Sequence, residues 1–290
     1  EVGGMNHVGP AWYQRAIYVP ALNDGEVAEL HFASADYAAD VWIDGRHAGA
    51  SGAAMLPFVV PLATGPLPGG PARLVVRVTN LLPVDGPTQR VTQADYAAEG
   101  RPRDEYLPAV RFDFFPYGGL NRPVTLVVRP AHGLTDYRIV TQVAGEAATL
   151  TATVHAAAGT AARLTLTDRH GDVAASATAP LVDGRAALAS MVADARCWSP
   201  DDPYLYALTV ELLDGERVID RADQRLGLRA VSVAGNQLLL NGAPITLKGC
   251  GKHEDSPLHG RGLNLPQLAK DFQLLKWLGA NSVRTSHYPY

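Results

Sequence analysis

The sequence predicts a mainly β chain: a jelly-roll-like β-sandwich, then an immunoglobulin-like β-sandwich, then the first βαβ unit of a TIM (β/α)8 barrel. Three observations carry this. Short alternating apolar runs, separated by Gly- and Pro-rich connections, fill the chain as far as Val231. No helix-period segment interrupts the first of these domains. After Val231 the pattern switches to strand, helix, strand.

The first domain is placed at residues 1–131. Alternation in Glu29-Leu30-His31-Phe32 reads as a strand, and Val41-Trp42-Ile43 reads as another, closed by the turn pair Asp44-Gly45. Leu74-Val75-Val76-Arg77-Val78 and Val124-Thr125-Leu126-Val127-Val128 continue the series, and residues 64–71 are a Gly/Pro connection. Many short strands with such turns make a sandwich or jelly roll.

The second domain is placed at residues 132–231. Strands are expected at Tyr137-Arg138-Ile139-Val140, at 149–155, at 163–167 before His170-Gly171-Asp172, and at 204–212 before Asp214-Gly215. Turn signals spaced by roughly 8 to 12 residues fit an immunoglobulin-like sandwich, without the Cys and Trp pattern of antibody domains.

The third segment, 232–290, opens with Asn241-Gly242 as a hairpin turn and Ile245-Thr246-Leu247-Lys248-Gly249 as a buried strand. A helix follows: Asn264 as N-cap, Pro266 in the first turn, Leu265, Leu268, Phe272, Leu275 and Leu278 as its apolar stripe, and Gly279 as its stop. Asn281-Ser282-Val283-Arg284 is the next strand. One βαβ unit cannot close a sheet, so a truncated barrel is expected, with strand edges and an apolar helix face left open to association.

Composition bounds the function. The 290 residues are 47% hydrophobic and 19% charged, which suits a folded globular chain and excludes the disordered class. A formal net charge of -4 supplies no basic surface, so nucleic acid is set aside as a partner. No apolar run approaches the ~18 residues of a membrane span. Glu1-Val2-Gly3-Gly4-Met5 has neither the basic nor the apolar region of a signal peptide, and the expectation is a cytoplasmic chain whose first domain is incomplete at its N-terminus. Cys197 and Cys250, the two cysteines, read as buried free thiols, with no disulfide framework and no metal site. Trp12, Trp42, Trp198 and Trp277 read as core packing.

The most specific stretches are Asn281-Ser282-Val283-Arg284-Thr285-Ser286-His287-Tyr288-Pro289 and Gly251-Lys252-His253-Glu254-Asp255. Trp12-Tyr13-Gln14-Arg15, Trp198-Ser199-Pro200 and Arg225-Leu226-Gly227-Leu228-Arg229 accompany them. Together they resemble glycoside hydrolase family 2 over essentially the whole chain. Asp113-Phe114-Phe115-Pro116-Tyr117-Gly118-Gly119-Leu120 looks more like its β-glucuronidase-like members than its galactosidases. The resemblance implies retaining hydrolysis of a β-glycoside, glucuronide or alternatively galactoside, with no metal and no organic cofactor, by a homo-oligomer when full length. Such hydrolysis needs two carboxyl groups about 5 to 5.5 Å apart. The resemblance puts both on glutamates of later barrel strands, so no catalytic residue is expected in this chain and the isolated polypeptide is expected to be inactive. It also implies that Arg284 supports the nucleophile, and that Asp113, His253 and His287 bind substrate. Glu254 and Asp255, being adjacent, point different ways and read as loop-stabilising acids. A noncatalytic carbohydrate-binding fragment is the rival from another class.

Overall fold

The structure is a computed structural model. It describes residues 7, 9–53, 55–80, 117–256 and 258–285. Contacts divide the chain into two compact units, Glu1–Val128 with Lys248–Tyr290, and Arg129–Leu247.

In the first unit, strands β1 (Pro10–Val19), β2 (Glu26–Phe32), β3 (Ala38–Ile43), β4 (Arg46–Ser51), β5 (Phe58–Thr64), β6 (Gly70–Thr79) and β7 (Val124–Pro130) form two sheets. Their orders are β1-β6-β3-β4 and β5-β2-β7, so among the described strands each successive pair except the β3–β4 hairpin lies in opposite sheets, as in a sandwich. Period-two alternation turns Ala28, Leu30 and Phe32 inward from β2, Val41 from β3, and Leu74, Val76 and Val78 from β6. Phe32 stacks on Phe58 with ring centroids 4.5 Å apart. Each such side chain withdrawn from water contributes about 1.5 to 3 kcal/mol before the entropy of ordering is counted. The predicted Asp44-Gly45 turn has both residues at positive φ, 48° and 81°, the geometry that matches strand twist in a two-residue hairpin.

The barrel-type elements of this unit are β18 (Gly249–Lys252), helix α1 (Leu265–Trp277) and β19 (Ser282–Thr285). β18 and β19 pair in parallel, with Gly251 opposite Arg284 and Lys252 opposite Thr285. Helix α1 starts where expected: the Asn264 side chain accepts from the Gln267 backbone N–H at 3.1 Å, and Gly279 ends it at φ 80°.

The second unit contains β8 (Leu134–Ala144), β9 (Ala147–Ala156), β10 (Ala161–Thr167), β11 (Val173–Pro180), β12 (Arg185–Val192), β13 (Tyr206–Asp214) and β14 (Arg217–Leu226). The sheets β11-β10-β13-β14 and β12-β9-β8 enclose Leu150, Val154, Leu164, Leu166, Leu208 and Leu228. A smaller sheet, β15 (Val231–Ala234), β16 (Gln237–Leu240) and β17 (Ala243–Pro244), closes at Asn241-Gly242, both at positive φ as the turn chemistry predicts. Strands β11, β12 and β14 were not expected from the sequence. Ala- and Ser-rich β11 and charged β14 carry too few large apolar residues to show a period.

Four expectations are corrected. Of the expected strand at 245–249 only Gly249 is in a strand: the Ile245 N–H donates to the Leu238 carbonyl, the Lys248 N–H donates to the Asn281 side chain, and the parallel ladder begins at Gly249. Cys250, on that ladder, is exposed rather than buried. Trp12 is 62% exposed because its position on β1 faces away from the core. Trp277 is 80% exposed, since the described two-stranded sheet gives α1 little to cover, and the helix buries none of its residues.

Candidate functional site

Parallel strands of a barrel place their chemistry where the strands end, because the loops there converge on the sheet's axis. In this chain that end is the segment after Lys252 together with β19. His253 follows β18 directly, and its Nδ1 lies 3.2 Å from Asp255 Oδ2, which draws the ring proton to Nδ1. Lys252 Nζ pairs with Asp271 of α1 at 3.3 Å and so ties the strand end to the helix. A cavity of about 280 Å³ lies alongside, lined by Lys252, His253, Asp255, His259, Asn264 and Asp271 among others. Two polar atoms here, Asp255 Oδ1 and His259 Nδ1, are buried with no hydrogen-bond partner. Such atoms are places for a ligand hydroxyl or a water.

Arg284 lies exposed on β19, beside β18. The structure therefore places Arg284 on the strand beside β18, opposite Gly251, with His253 just past the end of β18. Asp113 and His287 lie outside the described residues. Among the described residues no group of His, Cys, Asp and Glu is arranged to hold a metal ion, and no helix is long and apolar enough to cross a membrane.

Neither Glu254 nor Asp255 is an idle acid. The Arg122 guanidinium donates to the Glu254 carboxylate, and Asp255 accepts from His253. Tyr117 packs near the same loop, its ring 3.2 Å from where a Cβ on Gly260 would stand. Burial, then the Asp255 charge, push its phenol above the ordinary value. The sequence reading missed Asp36, Asn121, Arg122 and Arg261, which hold the loop to the sandwich. The available signals were a lone acid within Ser34-Ala35-Asp36-Tyr37-Ala38 and an arginine set between Gly260 and Gly262.

Two antiparallel sandwiches and a parallel strand pair with a lined cavity at its C-terminal end define the class: a multidomain, sandwich-plus-barrel protein. Comparison with known proteins gives the family. Residues 133–229 match the model for glycosyl hydrolases family 2, and residues 231–290 match the family's TIM barrel domain. The chain belongs to glycosyl hydrolases family 2.

The chain is 35% identical over 289 residues to a beta-glucuronidase of Paenibacillus borealis, covering 98% of this chain and 47% of the relative. To the beta-glucuronidase of Mus musculus it is 33% identical over 306 residues, covering 100% and 46%. The crystal structure of Ruminococcus gnavus beta-glucuronidase superimposes with a TM-score of 0.83 at 31% identity, over 98% of this chain and 47% of that one. The same enzyme in complex with D-glucuronic acid gives 0.83 at 31% identity, over 98% and 48%. The chain spans about half the length of the curated relatives it matches.

Proposed function

We propose that the protein carrying this chain is a retaining O-glycoside hydrolase acting on β-glucuronides, and that residues 1–290 supply part of its sugar-binding shell. The observation that carries the reading is the β18–β19 register, which sets Arg284 opposite Gly251, two residues before His253, while His253, at the end of β18, lines a polar cavity. The likeness to beta-glucuronidases, one of them holding D-glucuronic acid, supports the glucuronide over the galactoside.

In this reading His253, its Nδ1 proton drawn to Asp255, hydrogen-bonds a sugar hydroxyl. Arg284 presents a fixed guanidinium that keeps a neighbouring carboxylate ionised and oriented. Asp113 and His287 complete the sugar contacts. The acid and nucleophile are other residues than Glu254 and Asp255, whose carboxylates are engaged by Arg122 and His253. The test is hydrolysis of matched aryl β-glucuronide and β-galactoside by the protein containing this chain, with the 290-residue polypeptide assayed beside it. Preference for the glucuronide, and no turnover by the polypeptide alone, is the expected result. Preference for the galactoside overturns the specificity, and turnover by the polypeptide overturns the assignment of the carboxylates.

A second reading, sugar binding without hydrolysis, is favoured by one feature of the first sandwich. Trp12 and Trp42 lie with ring centroids 5.3 Å apart on the outer sheet face, with the Arg77–Asp40 pair (3.1 Å) beside them. Aromatic faces fringed by polar groups suit a pyranose ring. Saturable glycan binding lost in Trp12→Ala, with no turnover of any aryl glycoside by the whole protein, would favour this reading.

A further inference from the structure

The loop from His253 to Asn264 is pinned to the first sandwich at two points, and both pins pass through the consecutive residues Asn121 and Arg122. At the near end, one residue past His253, the Arg122 guanidinium donates to Glu254, with both side chains largely buried. The same guanidinium donates to the carbonyls of Asn121 at 3.2 Å and Arg261 at 3.1 Å. At the far end Arg261 donates to Asp36 Oδ2 at 3.2 Å, an oxygen that also accepts from the Asn121 amide at 2.5 Å. The Asn121 carbonyl accepts from the Leu263 N–H at 3.0 Å. Between the pins the loop braces itself, with Ser256 and Gly260 exchanging backbone hydrogen bonds of 2.9 Å each way.

We infer that Arg122 is a positioning residue for the sugar site: acting through Glu254 and the Arg261 carbonyl, it fixes the place of His253 at the end of β18. The inference rests on the hydrolase reading above. Arg122 suits the task because its planar fork serves three acceptors in fixed directions at once. A lysine ammonium is a point charge that cannot reproduce that fork. The pin is placed to act on His253 because Glu254 is its chain neighbour, and because Asp255, which holds the His253 ring, is the next residue on. A loop free at Glu254 would let the imidazole wander from the place where it holds the sugar hydroxyl, which weakens ground-state binding of the sugar.

The experiment uses the whole protein and an aryl β-glucuronide, with Arg122→Lys, Glu254→Gln, His253→Ala and the Arg122→Lys/His253→Ala pair. Glu254→Gln keeps the shape of the side chain and guards against simple failure to fold. Expected are faster hydrogen exchange of the 253–263 amides in both pin variants, and KM raised by roughly tenfold or more with a smaller change in kcat, as loss of ground-state sugar binding predicts. The paired variant should be no worse than His253→Ala alone, because the two act as one unit. Additive losses, or unchanged kinetics with a loosened loop, overturn the positioning role while leaving the hydrolase reading intact. Wild-type protein without turnover of any β-glycoside overturns both, and that control tells the two failures apart.

Discussion

The Asp36 carboxylate and the Arg261 guanidinium, 225 positions apart in sequence, meet at 3.2 Å with side-chain exposures of 0% and 2%. Asp36 also accepts from Ser34 Oγ at 3.1 Å and from the Asn121 amide, so its lone pairs are well used. Desolvating two charges is costly, and the pair persists because each compensates the other. Removing one partner leaves the other buried and uncompensated. Asp36→Ala is expected to destabilise the first unit by about 3 to 5 kcal/mol, whereas Asp36→Leu with Arg261→Met, apolar on both sides, should cost less than the single change. Denaturant unfolding of the three proteins checks this; equal losses for the single and double variants would show that the buried charge is not the cause.

Tyr37, next in sequence, supplies a pH prediction. Burial, then the Asp36 charge, raise its phenol well above the ordinary value near 10, against a smaller opposing pull from Arg261. The folded protein therefore keeps the proton to higher pH than the unfolded chain does. Its contribution to stability is fully present below about pH 10 and is lost as pH rises through the folded value. The Tyr37 Oη is also buried without a hydrogen-bond partner, so Tyr37→Phe should be neutral or stabilising by roughly 1 kcal/mol near neutral pH. Melting curves near neutrality and at about pH 11 should show the variant gaining on the wild type at the higher pH. A constant difference between the two would refute the assignment.

In the second unit Leu208 is fully buried on β13, whereas Val218 on β14 is 40% exposed. Leu208→Ala should cost about 2 to 5 kcal/mol, the lost transfer energy plus a cavity that the two sheets cannot collapse. Val218→Ala should stay within about 0.5 kcal/mol. Calorimetry of both variants tests the inward and outward faces assigned to these strands, and similar losses would mean that the faces are misassigned.

What the sequence made legible was set by local chemistry. Asn241-Gly242 and Asp44-Gly45 need only their own residues to form tight turns, and Asn264, Pro266 and Gly279 bound their helix without tertiary help. Alternation placed Leu30, Phe32, Val76 and Leu166 inside because the strand period alone decides facing. The run at 245–249 misled, since composition suits a strand there while the pairing partner, β19, starts opposite Gly249. The pins at Asp36, Asn121, Arg122 and Arg261 were invisible for another reason. Each is an ordinary polar residue whose partner lies far along the chain, and no local period reports such a contact.

Gly119 shows how tightly the sandwich side of those pins is built. It exchanges backbone hydrogen bonds of 2.9 Å each way with Asp36, and its φ is 118°, a conformation L side chains rarely adopt. A Cβ there would also stand 2.6 Å from the Tyr13 Oη, though 3.8 Å from the ring carbon that bears it. Two separate penalties are thus expected in Gly119→Ala, backbone strain of about 1 to 3 kcal/mol and a steric clash with one hydroxyl. Tyr13→Phe removes only the second. In thermal unfolding, Gly119→Ala should be the least stable, Gly119→Ala/Tyr13→Phe intermediate, and Tyr13→Phe close to wild type. Should the second substitution restore nothing, the whole penalty lies in the backbone, and the φ of 118° is the reason Gly119 must stay glycine.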